Sequence, residues 1–129
     1  MHTLLFLVLL ISQGEPSAQF YVVVNGDVTL TPREVRDLYV GEKQFSNGLR
    51  LLPVDNLGTQ GSFVSRALAM NLRRYETLWI KKSFRDALNP PLVKATDAEV
   101  LAFVELTRGA VGYVSTLPAG TRVTVIGRF

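Results

Sequence analysis

"LLPVDNLGTQGSFVS", Leu51 to Ser65, passes from an apolar run through a polar, glycine-rich stretch into a segment with helical spacing. Leu51, Leu52 and Val54 suit a strand. From about Gln60, Phe63, Ala67 and Met70 recur at three- and four-residue intervals, the repeat of a helix face. A strand turning directly into a helix is a building unit of α/β folds. The same junction has chemical potential, because the first turn of a helix presents unpaired N–H groups and the positive end of its dipole. Gly58 and Gly61 would let an anion approach the backbone, and Thr59 and Ser62 would add hydroxyl donors. These four are the candidate ligand-binding residues. Glycine and hydroxyl residues also open helices that bind nothing, and "GTQGS" lacks the lysine of a phosphate loop.

Upstream, "QFYVVVN", Gln19 to Asn25, is a β-branched and aromatic run whose continuous apolarity predicts a strand buried on both faces. In "TLTPREVRDLYVGE" Thr31 is a cap, Pro32 stands at the first helical position, Glu34 completes the capping box and Gly41 stops the helix. Val35, Leu38 and Tyr39 face inward. "KQFSNGLRLLPV" turns at Asn47-Gly48 into a second strand, Leu49 to Val54.

Downstream, Asn71 caps a helix with the apolar stripe Leu72, Tyr75, Leu78 and Trp79, ended by Asn89-Pro90-Pro91. Thr96 and Glu99 box another helix, which Gly109 terminates. Ala110 to Ser115 and Thr121 to Phe129 supply the last strands. Strands separated by helices imply an α/β three-layer sandwich with a mainly parallel sheet. On the Tyr75 helix, Arg74, Lys81 and Arg85 share one face, read as solvated or as a surface for an acidic partner. Tyr75, Trp79 and Phe84 are read as core or a partly exposed apolar patch.

The chain has 129 residues, 47% hydrophobic, a composition for one domain with a real core. Its formal charge of +3 comes from scattered residues, with no basic block for nucleic acid. "LLFLVLLI", Leu4 to Ile11, is far shorter than the roughly 20 residues that span a bilayer. Followed by "SQGEPSAQ", it reads as a signal peptide over residues 1–18, cleaved after Gly14 or Ala18, leaving one lobe over 19–129. Loss of Glu15 leaves 14 basic and 10 acidic residues, so 14 − 10 gives +4. Such a chain is exported, and the lack of cysteine fits a bacterial periplasm. The only histidine, His2, lies in the leader, so Ser-His and Cys-His pairs cannot be built. Asp27, Asp37, Asp55, Asp86 and Asp97 are spread among turns and helix starts. No catalytic residue, metal site or cofactor is expected, and the chain is read as a non-enzyme.

Three blocks in order, "LTPREVRDLYVGE", "LLPVDNLGTQGSFVS" and "RGAVGYVS", resemble the second lobe of the periplasmic phosphate-binding proteins of ABC transporters. There a first motif precedes a strand and an Asp-Gly-Ser-Gly-Thr anion loop. The resemblance implies one lobe of a type 2 periplasmic-binding-protein fold and a phosphate or similar oxyanion as ligand. Asp55 matches the aspartate of the loop, and Gly58 and Thr59 its final Gly-Thr. Asn56 and Leu57 replace Gly-Ser, Gln60-Gly61 look inserted, and Pro53 stands where the family carries arginine. Glu42 replaces the lysine of the first motif. Micromolar affinity needs about 8 kcal/mol, so a single open lobe is expected to bind weakly unless a homodimer or another protein supplies a second lobe. The alternative is a non-catalytic envelope interaction or scaffold protein that keeps the lobe and has lost the anion site.

Overall fold

Val22, Val23 and Val24 are all fully buried. Successive strand residues point to opposite faces, so both faces of the strand they form, β1 (Tyr21–Val24), must be covered. The computed structural model describes residues 19–129. The expected leader, with His2 and Leu4 to Ile11, lies outside the described residues.

β1 belongs to a five-stranded sheet with β4 (Leu52–Asn56), β5 (Leu92–Lys94), β6 (Ala110–Val114) and β7 (Thr124–Arg128), in the order β5-β4-β6-β1-β7. β4 pairs in parallel with β5 and β6, whereas β1 is antiparallel to β6 and β7. Four strands therefore run one way and β1 alone runs against them, so the sheet is mostly parallel in direction.

Helices cover both faces. On one, Val22, Val24, Val111 and Tyr113 pack with α1 (Pro32–Tyr39), α2 (Gln60–Leu68) and α3 (Leu72–Asp86). On the other, Val23, Val54, Ala110 and Val114 pack with Val100, Leu101 and Val104 of α4 (Asp97–Leu106). This is the expected three-layer sandwich. Gly112 permits the close approach of α4, since a Cβ there would lie 2.6 Å from Val100 Cγ1.

Local signals set the helix starts. The Glu34 carboxylate accepts the Thr31 N–H at 2.9 Å, and Asn71 accepts the Arg74 N–H at 2.8 Å. Thr96 accepts the Glu99 N–H at 3.2 Å. Gly41 follows α1 with φ +82°, a left-handed backbone that suits glycine.

Three expectations need correction. The single strand Leu49 to Val54 is broken at Leu51. β3 (Leu49–Arg50) pairs with β2 (Phe45–Ser46) in a separate hairpin, while β4 starts at Leu52 and joins the main sheet. Asn47 and Gly48, both at positive φ, make the tight hairpin turn that divides the two. The segment after Pro91 is a strand, β5, which three residues were too few to announce. Gly109 lies beyond the end of α4, whose C-cap is Thr107. Its φ is +89° and a Cβ would come 2.3 Å from the Arg50 carbonyl oxygen, so glycine lets the chain enter β6 past β3.

Candidate anion site and a buried carboxylate

β4, β5 and β6 are parallel, so their carboxyl ends lie together at one end of the sheet. Crevices at such ends are where open α/β sheets hold ligands. α2 begins there, four residues after Asn56.

Asn56 organises the loop. Its side-chain amide donates to Asp97 Oδ1 at 2.7 Å and to the Tyr113 carbonyl at 3.0 Å. Its Oδ1 accepts the Gly58 N–H at 3.2 Å, and its backbone carbonyl accepts the Thr59 N–H at 3.0 Å. Gly58 and Thr59, two of the candidate residues, therefore spend their amides inside the loop. The sequence marks Asn56 only as a departure from the resembling family's loop, because nothing in its local spacing says where its amide points.

Further along, the helix start is open. Among the described residues nothing partners the N–H groups of Gln60, Gly61 and Ser62. Gly61 and Ser62 are exposed, and no atom lies within 4 Å of where a Gly61 Cβ would be. Thr59 is the N-cap, yet its hydroxyl caps nothing, and its buried Oγ1 has no partner among the described residues. The four candidate residues are thus contiguous with this helix start but unequal: Gly61 and Ser62 offer free amides, Thr59 an unused hydroxyl, and Gly58 a committed amide.

A second set of donors at the same end of the sheet is already occupied. Asp97 Oδ2 accepts Ser115 N–H at 3.1 Å and Oγ at 2.8 Å, and Thr116 N–H at 2.9 Å and Oγ1 at 3.0 Å. Burial opposes the charge of Asp97, but hydrogen bonds from Ser115, Asn56 and Thr116 outweigh it and hold the carboxyl below its usual range. The chain's own carboxylate sits where a nest of amides and hydroxyls would otherwise face an anion.

Asp55 is the third element. It is 2% exposed and points to the α1–α3 face. The Tyr113 hydroxyl donates to Oδ1 at 2.7 Å and the Tyr75 hydroxyl to Oδ2 at 2.8 Å. Burial raises its pKa above the usual carboxylate range, against the opposing hydrogen bonds of Tyr113, Tyr75 and Gln60. Both phenols are pushed well up, chiefly by burial and then by the Asp55 charge, so they remain donors. Among the described residues no lysine or arginine pairs with Asp55.

Tyr75 and Trp79 are core, while Phe84 is 89% exposed, which divides the expected aromatic group. Arg74, Lys81 and Arg85 are all exposed. No group of three or more His, Cys, Asp or Glu that could hold a metal occurs among the described residues. No described helix is long and apolar enough to cross a membrane.

The architecture is that of one lobe of a type 2 periplasmic-binding-protein fold. Two solved structures carry the likeness. One is an ABC-type phosphate transport receptor from Vibrio cholerae, with TM-score 0.60 and 21% identity over 84% of this chain and 46% of that one. The other is described as a phosphate ABC transporter substrate-binding protein, with bound phosphate, from Clostridium perfringens. It has TM-score 0.63 and 14% identity over 84% of this chain and 45% of that one. At these identities the likeness is one of fold, and the chain spans a little under half the length of each. No protein-family model matches the sequence, and no curated protein does either.

Proposed function

We propose that this chain is a non-catalytic, exported oxyanion-binding module, with phosphate or a similar anion held at the start of α2 by Gly61 and Ser62 and flanked by Gly58 and Thr59. The observation that carries this reading is the unpartnered run of amides at Gln60, Gly61 and Ser62, at the carboxyl end of β4. The bound phosphate of the Clostridium perfringens neighbour supports the choice of ligand. Export rests on the apolar stretch Leu4 to Ile11 and the residues that follow it.

The magnitude of binding follows from what is free. Three hydrogen bonds from exposed amides to an anion, at about 1.5 kcal/mol each, the low end for a charged acceptor, total roughly 4.5 kcal/mol with the helix-terminus field counted in them, which corresponds to a Kd near a millimolar. Tighter binding requires further donors, from a second copy or another protein. Phosphate titration followed by the amide resonances of Gly61 and Ser62 tests the reading. Saturating shifts in the millimolar range are expected, and Gly61→Asp should abolish them. An acidic residue in the first turn favours the helix, so loss of the site is separable from loss of the fold. Silent Gly61 and Ser62 resonances at high phosphate would end this reading.

A second reading has its own support. Committed amides at Gly58 and Thr59, together with exposed Ile80, Phe84, Leu92 and Val93, fit an interaction protein that has kept the lobe while its anion loop decayed. Such a protein predicts a stoichiometric envelope partner and no response to phosphate.

A further inference from the structure

A groove of about 410 Å³ runs between α3 and the edge of the sheet at β5. Its walls are Trp79, Ile80, Phe84, Pro90, Pro91 and Val93, and Asp55, Tyr75 and Gln60 lie at its base. The volume falls in the range that encloses a small molecule. Its charged lining residues, Asp55 and Glu76, are both acidic, in a chain whose formal charge is +3.

Asp55 gives the groove its selectivity. Its hydrogen-bond donors are neutral, the phenols of Tyr75 and Tyr113, and Gln60 beside the groove is uncharged as well. A buried carboxyl whose partners are all neutral is opposed as an anion, which is why its pKa is raised, and a cation bound beside it would favour the ionised form. The Tyr75 ring beside Asp55 favours the same charge, because a ring quadrupole attracts a cation. An apolar neutral molecule would satisfy the walls and leave Asp55 without a counter-charge. An anion would be repelled by both carboxylates. A flat lipid surface would meet Ile80 and Phe84 without reaching Asp55.

We propose that this groove binds a small organic cation, an ammonium or amidinium group on an apolar body. The head is directed at Asp55, and the body lies against Trp79, Phe84 and Val93. The inference does not rest on the oxyanion reading, with which it shares only Gln60; that reading is carried by backbone amides and this one by the Asp55 side chain.

Trp79 is the only tryptophan of the chain and lines the groove, so its emission reports occupancy. Benzylamine and benzyl alcohol share a body and differ in charge. Benzylamine should bind about tenfold tighter or better, a difference of about 1.4 kcal/mol. Asp55→Asn should bring the two ligands level, and Phe84→Ala should weaken both while preserving their ratio. Equal affinities in the unaltered protein, an amine preference that survives Asp55→Asn, or no binding of either would overturn the proposal. Should Asp55→Asn fail to fold, amide shifts in the unaltered protein decide. Benzylamine must perturb Gln60, Trp79 and Val93, and perturbation elsewhere with these silent overturns it.

Discussion

Replacing Tyr113 with phenylalanine isolates one hydrogen bond to a buried carboxylate. The ring of Tyr113 stacks on Phe63 with centroids 3.7 Å apart and planes 4° from parallel, and phenylalanine keeps that contact. What disappears is the 2.7 Å bond from the hydroxyl to Asp55 Oδ1. A hydrogen bond to a charged group contributes about 1.5–3 kcal/mol. For a domain of this size a urea m-value of about 1–3 kcal/mol/M makes the expected fall in midpoint roughly 1 M. The pH dependence adds a sign. Asp55 has a raised carboxyl, so its contribution is fully present below the unfolded-state value near 3.8 and is lost as pH rises through the folded-state value. Removing Tyr113's donor raises that value further. The penalty of Tyr113→Phe should therefore grow as the pH rises and Asp55 ionises, and shrink as the pH falls through the folded-state value. Urea unfolding followed by Trp79 fluorescence at several pH values measures it. A midpoint unchanged across the range, or a penalty that grows in acid, would refute the assignment of Asp55 as a buried charge held by phenols.

Asp97→Ala should cost about 2–4 kcal/mol in urea unfolding, because the Ser115 and Thr116 donors and the Asn56 amide lose one shared acceptor. Asp97 has a lowered carboxyl, so its contribution is present above the unfolded value and lost as pH falls through the folded one. The acid limb of the stability curve should flatten in the variant. Gly109→Ala should cost at least about 2 kcal/mol in the same assay, since it combines a left-handed backbone with a Cβ driven into the Arg50 carbonyl.

What the sequence made legible was local. Thr31, Pro32 and Glu34 lie within four positions, and Asn71 and Thr96 each meet their partner three residues on, so short-range spacing announces the helix starts. The triple valine announced a strand covered on both faces for the same reason. β5 escaped notice because its three residues are defined by pairing with β4, not by their own pattern. Phe84 stands five residues from Trp79 and so leaves the stripe that Tyr75 and Trp79 define by i and i+4 spacing. Its exposure was readable in the periodicity. At the candidate site, the free amides of Gly61 and Ser62 follow from the helix start alone. The commitment of Gly58 and Thr59 does not, because it depends on where the Asn56 side chain points. Nor could the Asp97 contacts be read, since they join residues separated by 18 and 41 positions across parallel neighbours.

Several sources of positive potential meet at the carboxyl end of this sheet, and their uses differ. The amides and hydroxyls of Ser115 and Thr116 are neutralised by Asp97, and the Gly58 and Thr59 amides by Asn56. The phenols of Tyr75 and Tyr113 are taken up by Asp55, whose chain offers proline where the resembling family has arginine. Each donor turned inward contributes to holding the described residues together, and each is subtracted from what a dissolved anion can recruit. The amides of Gln60, Gly61 and Ser62 are what remains, so weak anion binding and a well-satisfied sheet end have the same cause. The carboxyl left by this redistribution without a positive partner among the described residues is Asp55, whose ionisation burial opposes. The groove that opens above it lets a positive ligand complete the pairing that the chain itself lacks.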